Sequence, residues 1–207
     1  RAPGTGGDYH MAASYLVNGL GPVLEEDMPF EDNDDVIDIS EIDKEAVFDV
    51  NDVVLKTGNI GTPCTSSQIS EIKEYVYQNG AVAASIYMLL SDNYYNSTTG
   101  AYYYNGSKST NHAITIIGWD DNYSKNNFSS KNRPSSNGAW IVQNSYGTNY
   151  SLNGYNYISY EDVHTCDQIM SVVDLDKDID DNSYILDKLG YNQYFGYIYG
   201  DKGSTEA

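Results

Sequence analysis

The sequence predicts an α+β fold, and three observations carry that prediction. Two early stretches space their apolar residues at helical intervals, whereas from residue 81 onward apolar residues gather in short strand-like runs separated by turn-rich loops. Tyr occurs 21 times against 4 Phe and 2 Trp, beside 18 Gly, a composition that favours short strands and polar turns over long helices. At 207 residues with 40% apolar content, the chain can bury one good core or two small lobes sharing a cleft.

The first element is a helix in D-Y-H-M-A-A-S-Y-L-V-N-G-L (8–20), with Asp8 placed as its cap and Gly19 and Gly21-Pro22 ending the pattern; residues 1–22 form one segment on this basis. Residues 23–61 read as a crossing segment, acidic at E-D-N-D-D (31–35), with brief strand-like pieces at V-I-D-I (36–39) and V-F-D-V (47–50). A second helix is expected over 62–80. Thr65 or Ser66 caps it, Ile69, Ile72, Tyr75 and Val76 share a face, and Asn79-Gly80 closes it. Strands follow at 81–89, 113–119, 138–144 and 155–160, with a polar loop at 120–137, so residues 62–166 read as a β-rich lobe of antiparallel type.

Residues 167–207 read as a C-terminal extension or linker. Within it, D-L-D-K-D-I-D-D-N (174–182), registered on Asp176, offers calcium-type oxygens at Asp178, Asp180 and Asp187, but Asp181 stands where the sharp turn of such a loop needs Gly. A solvated acidic linker is the expectation. The abrupt start at R-A-P-G-T-G-G and the ending Y-F-G-Y-I-Y-G-D-K-G-S-T-E-A suggest a processed or excised piece.

A formal charge of −19, from 30 acidic against 11 basic residues, excludes nucleic acid and anionic membrane surfaces as expected partners, since both attract positive charge. No apolar stretch reaches the roughly 20 residues that span a bilayer. Cys64 and Cys166 lack the clustered spacing of a zinc site, and neither a metal nor a cofactor is expected. They are either two thiols or one disulfide, the latter worth up to about 4.7 kcal/mol for a loop of roughly 100 residues. N-x-S/T triplets begin at Asn96, Asn105, Asn122, Asn127 and Asn149; glycan acceptors in some secretory chains, they also arise by chance in an Asn- and Ser-rich sequence.

The chemistry concentrates in N-H-A-I-T-I-I-G-W-D (111–120) and G-A-W-I-V-Q-N-S-Y-G-T (138–148). His112 opens one apolar run and Asn144 closes another, which suits a base whose ring is held by an amide from a neighbouring strand. No thiol or hydroxyl suitably placed to be attacked through precedes them.

Together with G-G-D-Y-H-M-A (6–12) and N-G-Y-N-Y-I-S-Y (153–160), these motifs fall in the order of the papain-like cysteine peptidases, and the chain resembles that family from about Gly6 to Tyr160. Within the family it is most similar to bacterial surface or secreted members in which a lectin-like domain follows the peptidase. The resemblance implies the papain-like fold, with part of the helical left lobe plus the β-barrel-like right lobe. It further implies an endopeptidase acting on peptide or protein substrates at the cell surface or in the medium.

By the same resemblance His112 is general base and acid, Asn144 fixes its tautomer, and Tyr146 occupies the position of the aromatic residue, usually Trp, that shields their bond; Tyr150 stands at a second such position. Gly6 and Gly7 match the glycine pair that meets the substrate backbone, and Ala84, Thr110, Asn111 and Ala113 border the substrate. The nucleophilic Cys and the oxyanion-hole Gln would precede Arg1, either as upstream sequence or as a docked separate chain. Cys64 lies just ahead of a helix, where thiol pKa values fall, but that helix belongs to the His-bearing lobe of the family. A non-catalytic surface protein binding peptide or glycan, and an amidase or transpeptidase of cell-wall peptides, are the competing expectations.

Overall fold

The structure, a computed structural model, describes residues 6–18, 22–24, 26–27 and 46–176. The piece V-I-D-I and, apart from Asp176, the calcium-loop candidate lie outside those residues. The chain divides into two compact units, one holding Arg1–Val53 with Val172–Ala207 and the other Val54–Ser171.

In the first unit, helix α1 (Tyr9–Val17) begins where expected because Asp8 Oδ1 accepts the Met11 backbone N–H at 3.0 Å. Removing such a cap costs on the order of 1 kcal/mol.

In the second unit, α2 (Ser66–Asn79) starts with a reciprocal box: Thr65 Oγ1 accepts from Gln68 N–H and Gln68 Oε1 accepts from Thr65 N–H, at 3.3 and 2.9 Å. Its inward face buries Ile72. The strands are β1 (Asp49–Thr57), β2 (Val82–Ile86), β3 (Tyr95–Asn96), β4 (Ala101–Tyr102), β5 (His112–Asp120), β6 (Ala139–Gln143), β7 (Tyr155–Ser159) and β8 (Gln168–Asp176), of which β1 up to Val53 and β8 from Val172 fall in the first unit. They form one sheet in the order β1-β8-β2-β5-β6-β7-β4-β3. The β2–β5, β5–β6 and β6–β7 pairs are antiparallel as expected, whereas β4 and β7 pair in parallel.

Two features depart from the sequence reading. The piece at V-F-D-V only leads into β1, which begins at Asp49 and runs on to Thr57. And the segment read as a C-terminal linker opens with β8: in Q-I-M-S-V-V-D-L-D, Ile169 and Ser171 point inward while β2 supplies backbone partners through Ala84↔Ile169 and Val82↔Ser171. The Asp residues that suggest a wet linker sit at its far end.

The core is the inward face of this sheet, where Val82, Ala84, Ile86, Ile116, Trp140, Val142 and Ile158 are fully buried. Burying each large side chain contributes about 1.5–3 kcal/mol relative to leaving it in water. Cys64 and Cys166 form a disulfide, with Cα atoms 5.4 Å apart and 102 residues between them in sequence. It ties the start of α2 to the loop before β8. The polar loop 120–137 is held down by Glu161, whose carboxylate accepts from Ser135 and Ser136 backbone N–H groups and hydroxyls at 2.5–2.8 Å.

Candidate active site

His112 is the first residue of β5 and faces Ile86 of β2; Asn144 follows the last residue of β6. The β5–β6 register pairs Thr115 with Gln143, so continuing it sets Tyr146 across from His112 and Asn144 diagonal to it. The antiparallel ladder thus delivers all three to one end of the inward face. His112 Nε2 lies 2.8 Å from Asn144 Oδ1. Tyr146 stacks on the imidazole, with ring centroids 5.0 Å apart and planes at 12°.

The rings continue outward. Tyr150 meets Tyr146 edge-on at 4.8 Å and stacks on Tyr95 at 6.1 Å. Burial raises the phenol pKa values of Tyr146 and Tyr150, so both stay neutral donors over a wide pH range. Tyr146 remains 45% exposed, so one face covers the imidazole while the other meets solvent.

Asn144 is buried and fully committed. Besides the imidazole, its Oδ1 accepts the Ser145 N–H at 2.8 Å, its Nδ2 donates to Asn156 Oδ1 at 3.3 Å, and its backbone N–H donates to the Gly154 carbonyl at 2.9 Å. His112 Nδ1, by contrast, has no hydrogen-bond partner among the described residues. A ring held at Nε2 and open at Nδ1 can take a proton from an incoming acid and return it to a leaving group. His164 makes the contrast plain: Nδ1 faces Asp167 Oδ2 at 2.5 Å and Nε2 faces the Lys108 carbonyl at 2.8 Å, both within the core, so that ring is a structural bridge.

The other predicted residues separate into groups. Ala113 and Thr110 are exposed, and Ala113 lines an open depression of about 320 Å³ with Ala83, Ile114, Thr115, Gln143, Asn144 and Ser145. Ala84 does not border it. It is fully buried and points into the core, because strand side chains alternate and on β2 the outward positions are Ala83 and Ser85. Asn111 uses its amide on the chain itself, accepting the Met88 N–H at 2.7 Å and donating to the Met88 carbonyl at 3.2 Å, which anchors the residue preceding His112. Gly6 and Gly7 lie in the first unit, exposed, with open space where a Cβ would stand. Cys64 carries no thiol to activate, being bridged to Cys166.

A model of the papain family cysteine proteases matches residues 3–174. The chain belongs to that family. No curated protein sequence matches it significantly. Among solved structures, it is similar to the cysteine protease and lectin-like domains of Cwp84, a surface layer associated protein of Clostridium difficile, at 31% identity and a TM-score of 0.65 over 79% of this chain and 35% of that one. A Clostridial Cwp84 variant after propeptide cleavage aligns at 29% identity and a TM-score of 0.73, covering 90% of this chain and 45% of that one. Bromelain from Ananas comosus, in complex with the inhibitor E64, shares the fold at 17% identity and a TM-score of 0.56, over 83% of this chain and 73% of that one. The chain therefore spans less than half the length of its Cwp84 neighbours.

Asn156 is the site residue that the sequence reading does not single out. Its signal is an amide at the inward position of β7, in phase with Ile158, where a core strand ordinarily carries an apolar side chain.

Proposed function

We propose that this chain is the His- and Asn-bearing part of a cysteine-type endopeptidase whose nucleophilic thiol is carried by sequence preceding Arg1. The observation that carries the reading is the 2.8 Å bond from His112 Nε2 to Asn144, under Tyr146, with Nδ1 left open. Both cysteines of the chain are joined to each other, so the attacking sulfur must come from elsewhere.

In this reading His112 Nδ1 takes the thiol proton, giving a thiolate and an imidazolium whose Nε2–H stays on Asn144. Sulfur attacks the scissile carbonyl carbon. As the C–N bond breaks, the Nδ1 proton passes to the departing amine, leaving a thioester on the enzyme. Water then gives a proton back to Nδ1 while attacking the thioester, and the carboxylic acid product leaves with the thiol restored.

The substrate is a peptide in extended conformation, with Ala113 and Thr110 assigned to its side chains. A place on the cell surface is supported by the surface-layer association named for Cwp84, and the charge of −19 fits a soluble domain facing outward.

The test is to express the protein with its upstream sequence, treat it with a thiol-reactive peptide epoxide and locate the adduct by mass spectrometry. Label on an upstream cysteine that disappears in His112→Ala supports the reading. Label that persists unchanged in that variant sinks it, and so does an adduct on Cys64.

A further inference from the structure

We propose that Asn156 is a positioning residue that fixes which nitrogen of His112 carries the proton, acting through Asn144. The inference rests on the reading of His112 as catalytic base, and its chemistry follows from a chain of hydrogen bonds that the Ser145 N–H fixes on the His112 side and a carbonyl fixes at the far end.

That end is the Gly100 carbonyl, which can only accept. Asn156 is fully buried, and one end of its amide lies 3.1 Å from Gly100 O and 3.0 Å from Ser151 Oγ; facing a carbonyl, that end has to be the NH₂. Its other end is then Oδ1, an acceptor, and the Asn144 atom 3.3 Å away is forced to be Nδ2. Asn144 Oδ1 consequently points the opposite way, toward Ser145 N–H and His112 Nε2, both at 2.8 Å. An acceptor there demands a proton on Nε2, so Nδ1 is the nitrogen that gains and loses one.

Reversing either amide would set like groups against each other in a buried space, where water cannot rescue them. Gly100 is suited to its place. It has φ +65°, and a Cβ there would stand 2.8 Å from Ser151 Oγ and 3.0 Å from Leu152, pushing away the turn that supplies the second acceptor. Leucine has the branched outline and heavy-atom count of the Asn side chain but no polar atom, so what the amide adds at position 156 is polarity.

The test has two arms. In the chain with ¹⁵N-labelled histidine, neutral His112 should show a single tautomer with Nε2 protonated, and Asn156→Leu, with only the Ser145 N–H left to orient Asn144, should populate the Nδ1–H form to a detectable share. In the protein with its upstream nucleophile, Asn156→Leu should lower kcat about tenfold, the worth of one neutral hydrogen bond, with KM within about twofold. Asn156→Asp, which as the buried, protonated acid keeps a hydroxyl donor toward Gly100 and an acceptor toward Asn144, should return tautomer and kcat toward the parent. Ser151→Ala cuts the tie to the turn alone and should change neither.

A folded Asn156→Leu with the parental tautomer and kcat overturns the proposal, as does a loss in Ser151→Ala equal to that in Asn156→Leu. If Asn156→Leu does not fold, Asn156→Asp decides, and a scrambled tautomer there overturns it. Should neither fold, the parent spectrum decides, since Nδ1–H as its main form is incompatible with the relay. Activity surviving His112→Ala would defeat the catalytic reading instead, while the tautomer spectrum, which needs no activity, still reports on Asn156.

Discussion

Replacing Tyr146 with Ala removes the roof over the His112–Asn144 bond, and the structure allows the cost to be worked out. The ring lies 5.0 Å from the imidazole at 12°, close to parallel, and 45% exposed. Stacked on an imidazolium at a partly exposed site, it supplies about 0.5–1 kcal/mol of cation–π attraction. It also keeps water from the Nε2–H···Oδ1 bond, and a bond to a charged group is worth about 1 kcal/mol more when dry than a neutral, hydrated one. Together these come to about 1.5–2 kcal/mol, a fall of roughly tenfold to thirtyfold in kcat/KM at 1.4 kcal/mol per factor of ten. The assay is hydrolysis of a fluorogenic peptide by the protein with its upstream segment, with thermal melts to confirm folding. Tyr146→Phe keeps the ring and should stay within about twofold, and Tyr146→Trp, with more area, should equal or exceed the parent. A folded Tyr146→Ala within about twofold of the parent refutes the shielding role, and so does a loss confined to KM.

Reducing Cys64–Cys166, or replacing both with Ser, should destabilise the fold by about 2–5 kcal/mol, read as a lower urea midpoint; the 102-residue separation sets the upper end, and an unchanged midpoint contradicts the role given to the bridge. Asp162, fully buried, has its carboxyl pushed up to about 6 by desolvation, against which the N–H groups of His164 and Tyr104 act as only partial compensation. A raised folded-state pKa means that the group favours the fold at low pH, below its unfolded value, and that this contribution is lost as pH rises through about 6. A carbon-detected titration should place the Asp162 midpoint near 6, with unfolding free energy declining between pH 4 and 7; a midpoint near 4 contradicts it.

The sequence makes the pair at the centre of the site legible because both members sit at the ends of apolar runs. In such runs pattern and pleat agree, and β5 and β6 appear within a residue or two of where A-I-T-I-type and W-I-V-type text places them. Where polarity and position conflict, legibility fails. The run opening at Gln168 carries two Asp residues and reads as linker, yet β2 offers it an unpaired edge, and backbone hydrogen bonds to a neighbour outweigh local composition. Ala84 illustrates what phase decides: on β2 it points into the core, whereas its neighbours Ala83 and Ser85 face outward. Asn156 is invisible for a related reason, since Y-N-Y-I-S-Y reads as a strand without showing which face its Asn takes until the register puts that residue behind Asn144. The disulfide depends on a 5.4 Å approach across 102 residues, which no local pattern encodes.

The most direct measurement is the pH dependence of thiol alkylation in the protein carrying its upstream nucleophile. With the His112 ring paired to the sulfur, iodoacetamide should react rapidly well below the ordinary thiol pKa of about 8.5, and His112→Ala should push that reactivity back up toward it. An upstream thiol whose profile is the same with and without the His112 imidazole would contradict the assignment of that ring as the proton acceptor.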